Sequence, residues 1–472
     1  MQKVDSFKSS AFGILRTAFQ DYIDVFFLSA LGLGPFFHDK DSEETFLKMG
    51  FRAFIVKLKR ELGLIETTLY GIGVILGAGI YALIAVGAGM AGNMLWFAFL
   101  ISAVIAIFSG LSYAELSSIF PKEAAEYNYT KKAFNKELLS FIIGWVLAIG
   151  TVIAASAVAL GFGGYFEALT GIDHKIAALG LIISMTILNY RGIKESAWFD
   201  DVATVLEILG LLLVIAAAFL VPPLQSVDFF EMPATGFSGI LAAVTVVFFA
   251  YIGFENVANL SEEVKDSRNV VPKALVLALF FSTALYMLVA IAAVREVGWE
   301  VLSQSKAPLT LVVSRALGPY ASILSYIALF ATANTVLMFL IVPSRILYGM
   351  SKGGSLPKFF SVIGQRGTPF FSVFLIGIVA AFAAYAGEIK TVAQLTDLGV
   401  FLAYFAVNMS LIALAGHTYE RRFTSPRFLG IPIFAYLGAI AALVMLFTFD
   451  LSLWILEIGV VIAGIMIFFF RK

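Results

Sequence analysis

Long apolar stretches, separated by short segments of charged and turn-forming residues, recur along the chain from residue 63 to residue 470. One bilayer crossing needs about 20 mostly apolar residues, and these stretches are numerous enough for about twelve crossings. The predicted spans cover residues 63–90, 94–119, 138–168, 174–190, 199–222, 237–260, 272–294, 319–349, 369–386, 391–416, 428–447 and 451–470. The pattern predicts an all-α polytopic membrane protein.

Residues 1–62 do not follow this pattern. The apolar run 22–37 contains Asp24 and is too short to span a bilayer. Basic and apolar residues mix over 51–62, as in an amphipathic helix on a membrane surface. We predict that residues 1–62 form a cytoplasmic or interfacial N-terminal extension. The alternative is that Met49 is the true start of the chain.

Composition excludes several classes of protein. Hydrophobic residues make up 60% of the chain and charged residues only 14%, which excludes an ordinary soluble enzyme. The formal net charge of zero argues against a nucleic-acid partner, because a binder needs a basic face. The chain has no cysteine, and its three histidines do not have metal-ligand spacing. We therefore expect neither a metal nor a cofactor.

The basic residues are distributed unequally between the two sets of loops. With the amino terminus inside, 27 of the 32 Lys and Arg residues fall on the cytoplasmic side. The five on the opposite side are Lys175, Arg295, Lys306, Arg315 and Lys390. Because Lys and Arg accumulate in cytoplasmic loops, the sequence predicts a multi-pass protein of the cell membrane with both termini in the cytoplasm.

Spans one and six contain glycine within segments that predict interrupted helices. The first segment is Gly71–Ile80, with the break predicted at Gly77–Gly79, and the second is Phe248–Asn256, with the break predicted at Ile252–Gly253. Their separation by five spans predicts a ten-helix core over 63–416, built as a 5+5 inverted repeat with discontinuous helices 1 and 6, and two additional C-terminal helices over 417–472. The alternative is that the glycines only permit close helix packing.

Several blocks of the chain, taken in order, carry a family resemblance. They are residues 77–81, 111–116, 120–122, 249–255, 262–263, 269–274, 344–348, 356–357 and 368–369. Together they resemble the amino acid–polyamine–organocation superfamily, within it the cationic amino acid transporter and prokaryotic amino acid permease branches. The resemblance covers roughly residues 60–470 and implies a carrier of amino acids.

Three positions depart from that resemblance. Residues 123–127 read Glu-Ala-Ala-Glu-Tyr where the family has a small, glycine-rich stretch before its tyrosine, which makes the gating role of this loop uncertain. Gly353-Gly354 replaces the usual Asp-Gly. Glu207 stands where many relatives carry a lysine.

The interruptions predict how an amino acid would bind. Free N–H groups at a half-helix amino terminus attract a carboxylate, and unwound carbonyls attract an ammonium group. The carboxylate is placed on the backbone of 77–79 and the ammonium group on the carbonyls of Phe249, Ala250 and Ile252, as the resemblance also implies. The predicted substrate-binding residues are Gly77, Ala78, Gly79, Ile80, Phe249, Ala250, Ile252, Gly253 and Phe254. A neutral substrate is favoured, although Glu255 offers a charge to a cationic side chain.

Buried acidic residues are candidates for energy coupling, because each is costly inside a bilayer. Glu207 lies roughly 10 Å deeper than Asp200 along a helix, and Asp200 is placed near the cytoplasmic surface. The predicted ion-coupling residues are Glu207, Glu255, Thr332, Asn334 and Thr335. Either Glu207 takes up a proton, or it holds a sodium ion with oxygens of the predicted span eight. A structural role for Glu207 is the remaining alternative, and structural roles are preferred for Glu115 and Glu457.

These observations predict a secondary active transporter that moves amino acids across the cell membrane by alternating access, with proton coupling. A sodium-coupled carrier or an exchanger is the first alternative, and a channel or membrane sensor is more remote, because the sequence has no filter-like repeat. An enzyme is not expected, since the spans contain no nucleophile paired with a base. The expected partners are an amino acid, a coupling proton or sodium ion, and the lipid bilayer, but no nucleic acid.

Overall fold

The computed structural model describes residues 60–223, 226–305, 308–364, 366–386 and 389–470. The predicted N-terminal extension, apart from its last three residues, and the alternative start at Met49 lie outside these ranges. In the described residues the chain forms α-helices, short 3₁₀ turns and isolated bridges, with no β-strand. The prediction of an all-α protein is confirmed.

The helices follow one another in the order of the apolar stretches. They are α1 (Leu64–Leu76), α2 (Ala78–Ala91), α3 (Leu95–Ile119), α4 (Ala125–Phe134), α5 (Glu137–Thr170), α6 (His174–Arg191), α7 (Ile193–Leu220), α8 (Phe237–Val247), α9 (Asn256–Asn259), α10 (Ser267–Val297), α11 (Trp299–Ser303), α12 (Pro308–Leu317), α13 (Ser322–Lys352), α14 (Phe370–Ala386), α15 (Ile389–Leu414), α16 (Ile433–Leu446) and α17 (Leu451–Phe470). Helices form here because lipid supplies no hydrogen bonds, so each backbone group must be satisfied within its own segment.

Nine segments of the described chain are long and apolar enough to cross a bilayer, by length and composition. The other three predicted spans coincide with α6, α14 and α16, which do not reach that length or hydropathy. The count of twelve crossings and the inverted repeat therefore stay predictions.

Helix α13 forms the centre of the bundle. It is buried without interruption from Ala331 to Ser351 and packs along α5, α7 and α6. Helix α1 packs against α7 and α10, and α3 packs along α10. By contrast, α17 buries only Leu453, Glu457 and Gly464. The apolar residues on the other faces of α17 therefore remain available to lipid.

The structure contains the predicted interruptions of spans one and six. Only Gly77, with φ −41° and ψ −147°, separates α1 from α2. This break is narrower than the predicted 77–79, because one residue outside the helical region is enough to end one helix and begin the next. The second break is longer: a 3₁₀ turn over Phe248–Tyr251 leads to extended Ile252 and to Gly253 at φ 121°.

Four loop segments meet at the end of the bundle where α3 ends, and we call this the basic end. It comprises residues 120–136, 260–268, 349–364 and 415–432. Contacts between these segments include Glu262 N to Glu123 Oε1 at 3.2 Å and the edge-on rings of Phe120 and Tyr419. These loops carry many of the Lys and Arg residues that predict a cytoplasmic location, and that orientation stays a prediction.

Candidate functional site

The first break presents the start of α2 without any side-chain cap. Its N-cap residue, Gly77, has no side chain to cap the helix, and the amino end of a helix carries partial positive charge. Residue 77 must be glycine, since a Cβ there would collide with the hydroxyl of Thr335 on α13. The break consequently has the positive amino end of α2 on one side and α13 close against the other.

The two breaks touch each other backbone to backbone. A Cβ on Gly79 would lie 2.7 Å from Cα of Ala250 and 2.9 Å from its Cβ. A side chain at residue 79 would therefore push the two breaks apart. The sequence interpretation reserved the space at Gly79 for a carboxylate, whereas the structure fills much of it with Ala250.

The second break is capped by a carboxylate. The N–H of Gly253 donates to Oε2 of Glu255 at 3.0 Å, and the hydroxyl of Tyr404 on α15 donates to the same oxygen at 2.7 Å. Glu255 was predicted to couple an ion, and its carboxylate instead contacts the break itself. The amide at Gly253 is thereby already satisfied by an anion.

A tyrosine from α10 contacts carbonyl oxygens next to both breaks. The hydroxyl of Tyr286 lies against the carbonyl oxygen of Ile75 and donates to that of Ala250 at 3.0 Å. A phenol has one hydrogen to donate, so it cannot fully satisfy two carbonyls. Sequence reasoning missed Tyr286. The available signal was a single tyrosine in the middle of an otherwise apolar span.

A small cavity lies between the two breaks. Its lining residues are Val74, Ile75, Gly77, Gly79, Val158, Phe249, Ala250, Ile252, Thr335 and Phe339. Apart from the hydroxyl of Thr335, the side chains in this lining are apolar. The cavity has room for about one water molecule, so an amino acid can enter only if the surrounding helices move apart.

The structure brings together about half of the predicted substrate-binding residues. Gly77, Gly79, Phe249, Ala250 and Ile252 line the cavity. The lining does not include three of the other predicted residues, which are Ile80, Gly253 and Phe254. The ring of Phe254 packs edge-on against Tyr113 instead. Val158 and Phe339 line the cavity but were missed, because nothing in the sequence relates α5 and α13 to the breaks.

A second polar cluster lies where α7 meets α13 and α1. Asn334 Nδ2 donates to Oδ1 of Asp200 at 2.9 Å, and Thr204 Oγ1 donates to the same oxygen at 3.3 Å. A Cβ on Gly73 would lie 2.7 Å from that oxygen, so α1 passes close to the carboxylate. Glu207 is fully buried near Asp200 and Asn334, and neither of its oxygens has a hydrogen-bond partner within the described residues.

Asp200 was placed near the cytoplasmic surface, and that depth stays a prediction. Its side chain is fully buried against α1 and α13. The four-residue and three-residue intervals of Asp200, Thr204 and Glu207 put all three on one helix face, a signal that could have identified the cluster. Of the residues predicted to help Glu207, Asn334 lies in this cluster. Thr332 and Thr335 donate to carbonyls of their own helix.

The other intramembrane glutamates have structural surroundings. Glu115 accepts from the backbone and hydroxyl of Ser425 and pairs with Arg421 and Arg427, at 3.1 and 2.6 Å. Glu457 lies buried between α17 and α15, close to Gly399. Within the described part of the chain, no three His, Cys, Asp or Glu side chains come together as a metal site would require.

Comparison with known proteins gives a consistent result. The profile of the family described as amino acid permease matches residues 62–469. The branched-chain amino acid permease BcaP of Bacillus subtilis (strain 168) is 31% identical over 82% of this chain and 88% of its own length. The methylthioribose transporter of the same strain is 32% identical over 76% of this chain and 81% of its own length. Cationic amino acid transporter 4 of Mus musculus is 27% identical over 76% of this chain and 60% of its own length.

Proposed function

Because the chain belongs to the amino acid permease family and is a multi-pass transporter rather than an enzyme, we propose that it carries neutral, aliphatic amino acids across the cell membrane by alternating access. The observation that carries this proposal is the apolar cavity between two helix breaks. The backbone of the breaks binds the part common to all α-amino acids, and the apolar lining selects the side chain.

The two ends of the substrate bind to different breaks. The amino end of α2, which has no N-cap side chain, takes the carboxylate, because a helix amino terminus carries partial positive charge. The ammonium group binds carbonyl oxygens of the second break, where Ala250 shares one phenol hydrogen with Ile75. The amide of Gly253 does not compete for the carboxylate, because Glu255 occupies it.

The side chain of the substrate points to the apolar lining. Val158, Ile252 and Phe339 offer methyl, methylene and ring surface and no charge. Each buried methylene of a leucine or isoleucine gains about 0.8 kcal/mol there, whereas a charged side chain would lose its hydration without a partner. A cationic substrate, as carried by one set of relatives, is the second candidate. Binding of a cationic substrate requires the carboxylate of Glu255 to release the hydroxyl of Tyr404 and to contact the charged side chain of the substrate instead.

Proton coupling is assigned to Glu207. A carboxyl group in this dry cluster is neutral in one conformation and ionised in another, so that one proton moves with each substrate. The alternative is a sodium ion held by oxygens of Glu207, Asp200 and Thr204, a set suited to a hard cation. Both versions place the coupling site on α7, beside the stretch of α1 that precedes the first break.

Counterflow in proteoliposomes tests the substrate class. Vesicles loaded with unlabelled leucine should take up labelled leucine, isoleucine and valine with saturation. Labelled arginine and glutamate should not exchange. Exchange of arginine but not leucine would favour the cationic candidate, and passage without saturation or exchange would indicate a channel.

The variant Glu207→Gln tests the coupling. It should retain leucine exchange but lose accumulation driven by a proton gradient, because an amide does not titrate. Accumulation equal to wild type under both proton and sodium gradients would show that Glu207 has a structural role. Accumulation lost under a sodium gradient alone would identify the sodium alternative.

A further inference from the structure

The loop between α3 and α4 and the first turn of α4 carry two fully buried glutamates, Glu123 and Glu126, at the basic end. Ala124 between them has φ 52°, in the left-handed region that residues with a Cβ seldom adopt. Such a conformation persists only where the surrounding contacts hold it. This is the segment in which the chain departs from the small, glycine-rich pattern of its relatives.

An asparagine clamps this loop to the second half of the broken span. Asn259, the last residue of α9, donates through Nδ2 to both carboxylate oxygens of Glu126 at 3.1 Å. Its Oδ1 accepts from the backbone N–H of Ala125 at 2.8 Å. Nearby, Oε1 of Glu123 accepts from the N–H of Glu262. Helix α4 therefore cannot separate from α9 without losing all of these bonds.

The same loop also closes against α13. A Cβ on Gly349 would lie 2.7 Å from the methyl group of Ala124, so the two backbones are in close contact. The hydroxyl of Tyr127 pairs with Ser355 at 2.7 Å, just beyond the end of α13. These contacts close the space between α4, α9 and α13 at the basic end.

The surroundings of Glu126 favour a bound proton. Burial acts most strongly on its carboxyl, and the negative charge of Glu255 adds to that effect. Hydrogen bonds from its own backbone, Asn259 and Tyr113 favour the ionised form, and none of these groups is a cation. The rings of Tyr129 and Tyr404 also face it, from α4 itself and from α15. Burial, opposed by the hydrogen bond from Asn259, raises the pKa of Glu126 from 4.5 to about 7.

The clamp is also connected to the substrate site. Glu255, which caps the second break, lies one helical turn before Asn259 and accepts from Tyr404. The ring of Tyr113 lies edge-on to Tyr404, with the ring centroids 5.9 Å apart, and is itself close to Glu126. Movement of the second break on substrate binding therefore reaches Glu126 through directly contacting groups.

We propose that Glu126 is a proton-binding site that controls opening of the basic end: its neutral carboxyl keeps α4 docked on α9, and loss of the proton releases α4. This inference rests on the proposed alternating access, since it assigns a gate to one side of the carrier. It is a second titrating group, separate from Glu207 and on the other side of the second break.

The sign of the pH effect follows from linkage. In the docked state the carboxyl titrates near pH 7, whereas an exposed glutamate titrates near pH 4.5, so the docked state binds the proton more tightly. Raising the pH through this interval lowers the ratio of closed to open molecules, by at most about tenfold per pH unit. Above about pH 7 the ratio of closed to open molecules no longer changes with pH. With the basic end in the cytoplasm, an alkaline cytoplasm favours opening and inward release of the proton.

A single introduced thiol measures the opening, because the chain has no cysteine of its own. Ser261 is fully buried beside the clamp, and Thr424 is exposed at the same end of the bundle. The full-length Ser261→Cys protein, purified in detergent, is labelled with a maleimide between about pH 6 and pH 8. The labelling rate of Ser261→Cys is divided by the labelling rate of Thr424→Cys, so that the pH dependence of thiol ionisation cancels.

The relative rate of Ser261→Cys should rise several-fold across this pH range. In the double variant with Glu126→Gln it should stay at the slow, acid level at every pH, because a glutamine is permanently neutral. The matched control Glu420→Gln removes one charge from an exposed position at the same end and should keep the rise. A rise that survives Glu126→Gln, or no rise in Ser261→Cys, would overturn the proposal.

Asn259→Ala provides a second measurement if Glu126→Gln does not fold. It removes the clamp but leaves Glu126 in place, so labelling of Cys at 261 should be faster at every pH. Labelling as slow as in Ser261→Cys alone would contradict the gate. Neither measurement uses a substrate or a gradient. Absence of leucine counterflow with intact pH-dependent labelling would therefore count against the proposed function and not against the gate.

Discussion

The two helix breaks differ in how the chain treats their free backbone groups. At the first, one glycine separates two helices, and the amino end of α2 is left without a side-chain cap. At the second, the carboxylate of Glu255 accepts hydrogen bonds from the N–H of Gly253 and from the hydroxyl of Tyr404 on α15. The first break thus presents a helix amino end with no N-cap side chain, whereas at the second a side-chain carboxylate accepts the amide of Gly253.

This difference gives the site a direction. A zwitterion placed with its carboxylate at the second break would meet the carboxylate of Glu255, and like charges repel at short range. Under the proposed function, the reverse placement puts the anion at the positive amino end of α2 and the cation near an anion. One carboxylate side chain at one of two similar breaks is therefore enough to orient an amino acid.

The largest expected effect comes from forcing the two breaks apart. Gly79→Leu should abolish leucine binding, because its side chain would collide with the backbone of Ala250. Calorimetry on the purified protein measures the affinity. Gly459→Leu on α17 is the control, since no atom lies within 4 Å of a Cβ there, and it should bind as wild type. Unchanged binding by Gly79→Leu would show that contact between the breaks is not required.

A smaller effect is expected from removing the charge that distinguishes the breaks. Glu255→Gln still accepts from Gly253 and Tyr404, but it no longer favours a cation beside the second break. Leucine should bind about tenfold more weakly, which corresponds to about 1.4 kcal/mol. Glu300→Gln, exposed on α11, serves as the control. Equal affinities for the two variants would mean that Glu255 does not orient the substrate.

The smallest effect is expected from the hydroxyl shared by the two breaks. Tyr286→Phe should raise the KM for leucine exchange a few-fold and leave the maximal rate nearly unchanged, because one hydrogen bond contributes about 0.5–1.5 kcal/mol. The neighbouring Tyr251→Phe loses a bond to the carbonyl of Phe99, outside both breaks, and should retain the KM. A change in maximal rate alone would place the role of Tyr286 in the conformational change.

The sequence was informative where a feature depends on a short segment. Gly77 and Gly253 marked both breaks, because glycine in an apolar span is a local departure from helix propensity. The ends of most helices fell within a few residues of the predicted spans for the same reason. The predicted width of the first break was wrong, since glycine at residue 79 is required by contact with Ala250 and not by its own backbone.

The sequence was silent where two distant segments meet. Asp200 lies 134 residues from Asn334, and Glu126 lies 133 residues from Asn259. Neither pair has a spacing that reveals it. Asp200 was placed at a surface because it lies near the end of a predicted span, and its burial became visible only through the packing of α1 and α13 around it.

The sequence by itself determined that the chain is a bundle of apolar helices and where two of them break, because the cost of placing a residue in lipid and the preference for helix are nearly additive along the chain. Only the tertiary structure decided which carboxylates meet a donor, which break is capped by a carboxylate and what closes the basic end. Hydrogen bonds depend on donor–acceptor distances within a few tenths of an ångström. That alignment arises only when helices far apart in sequence pack together.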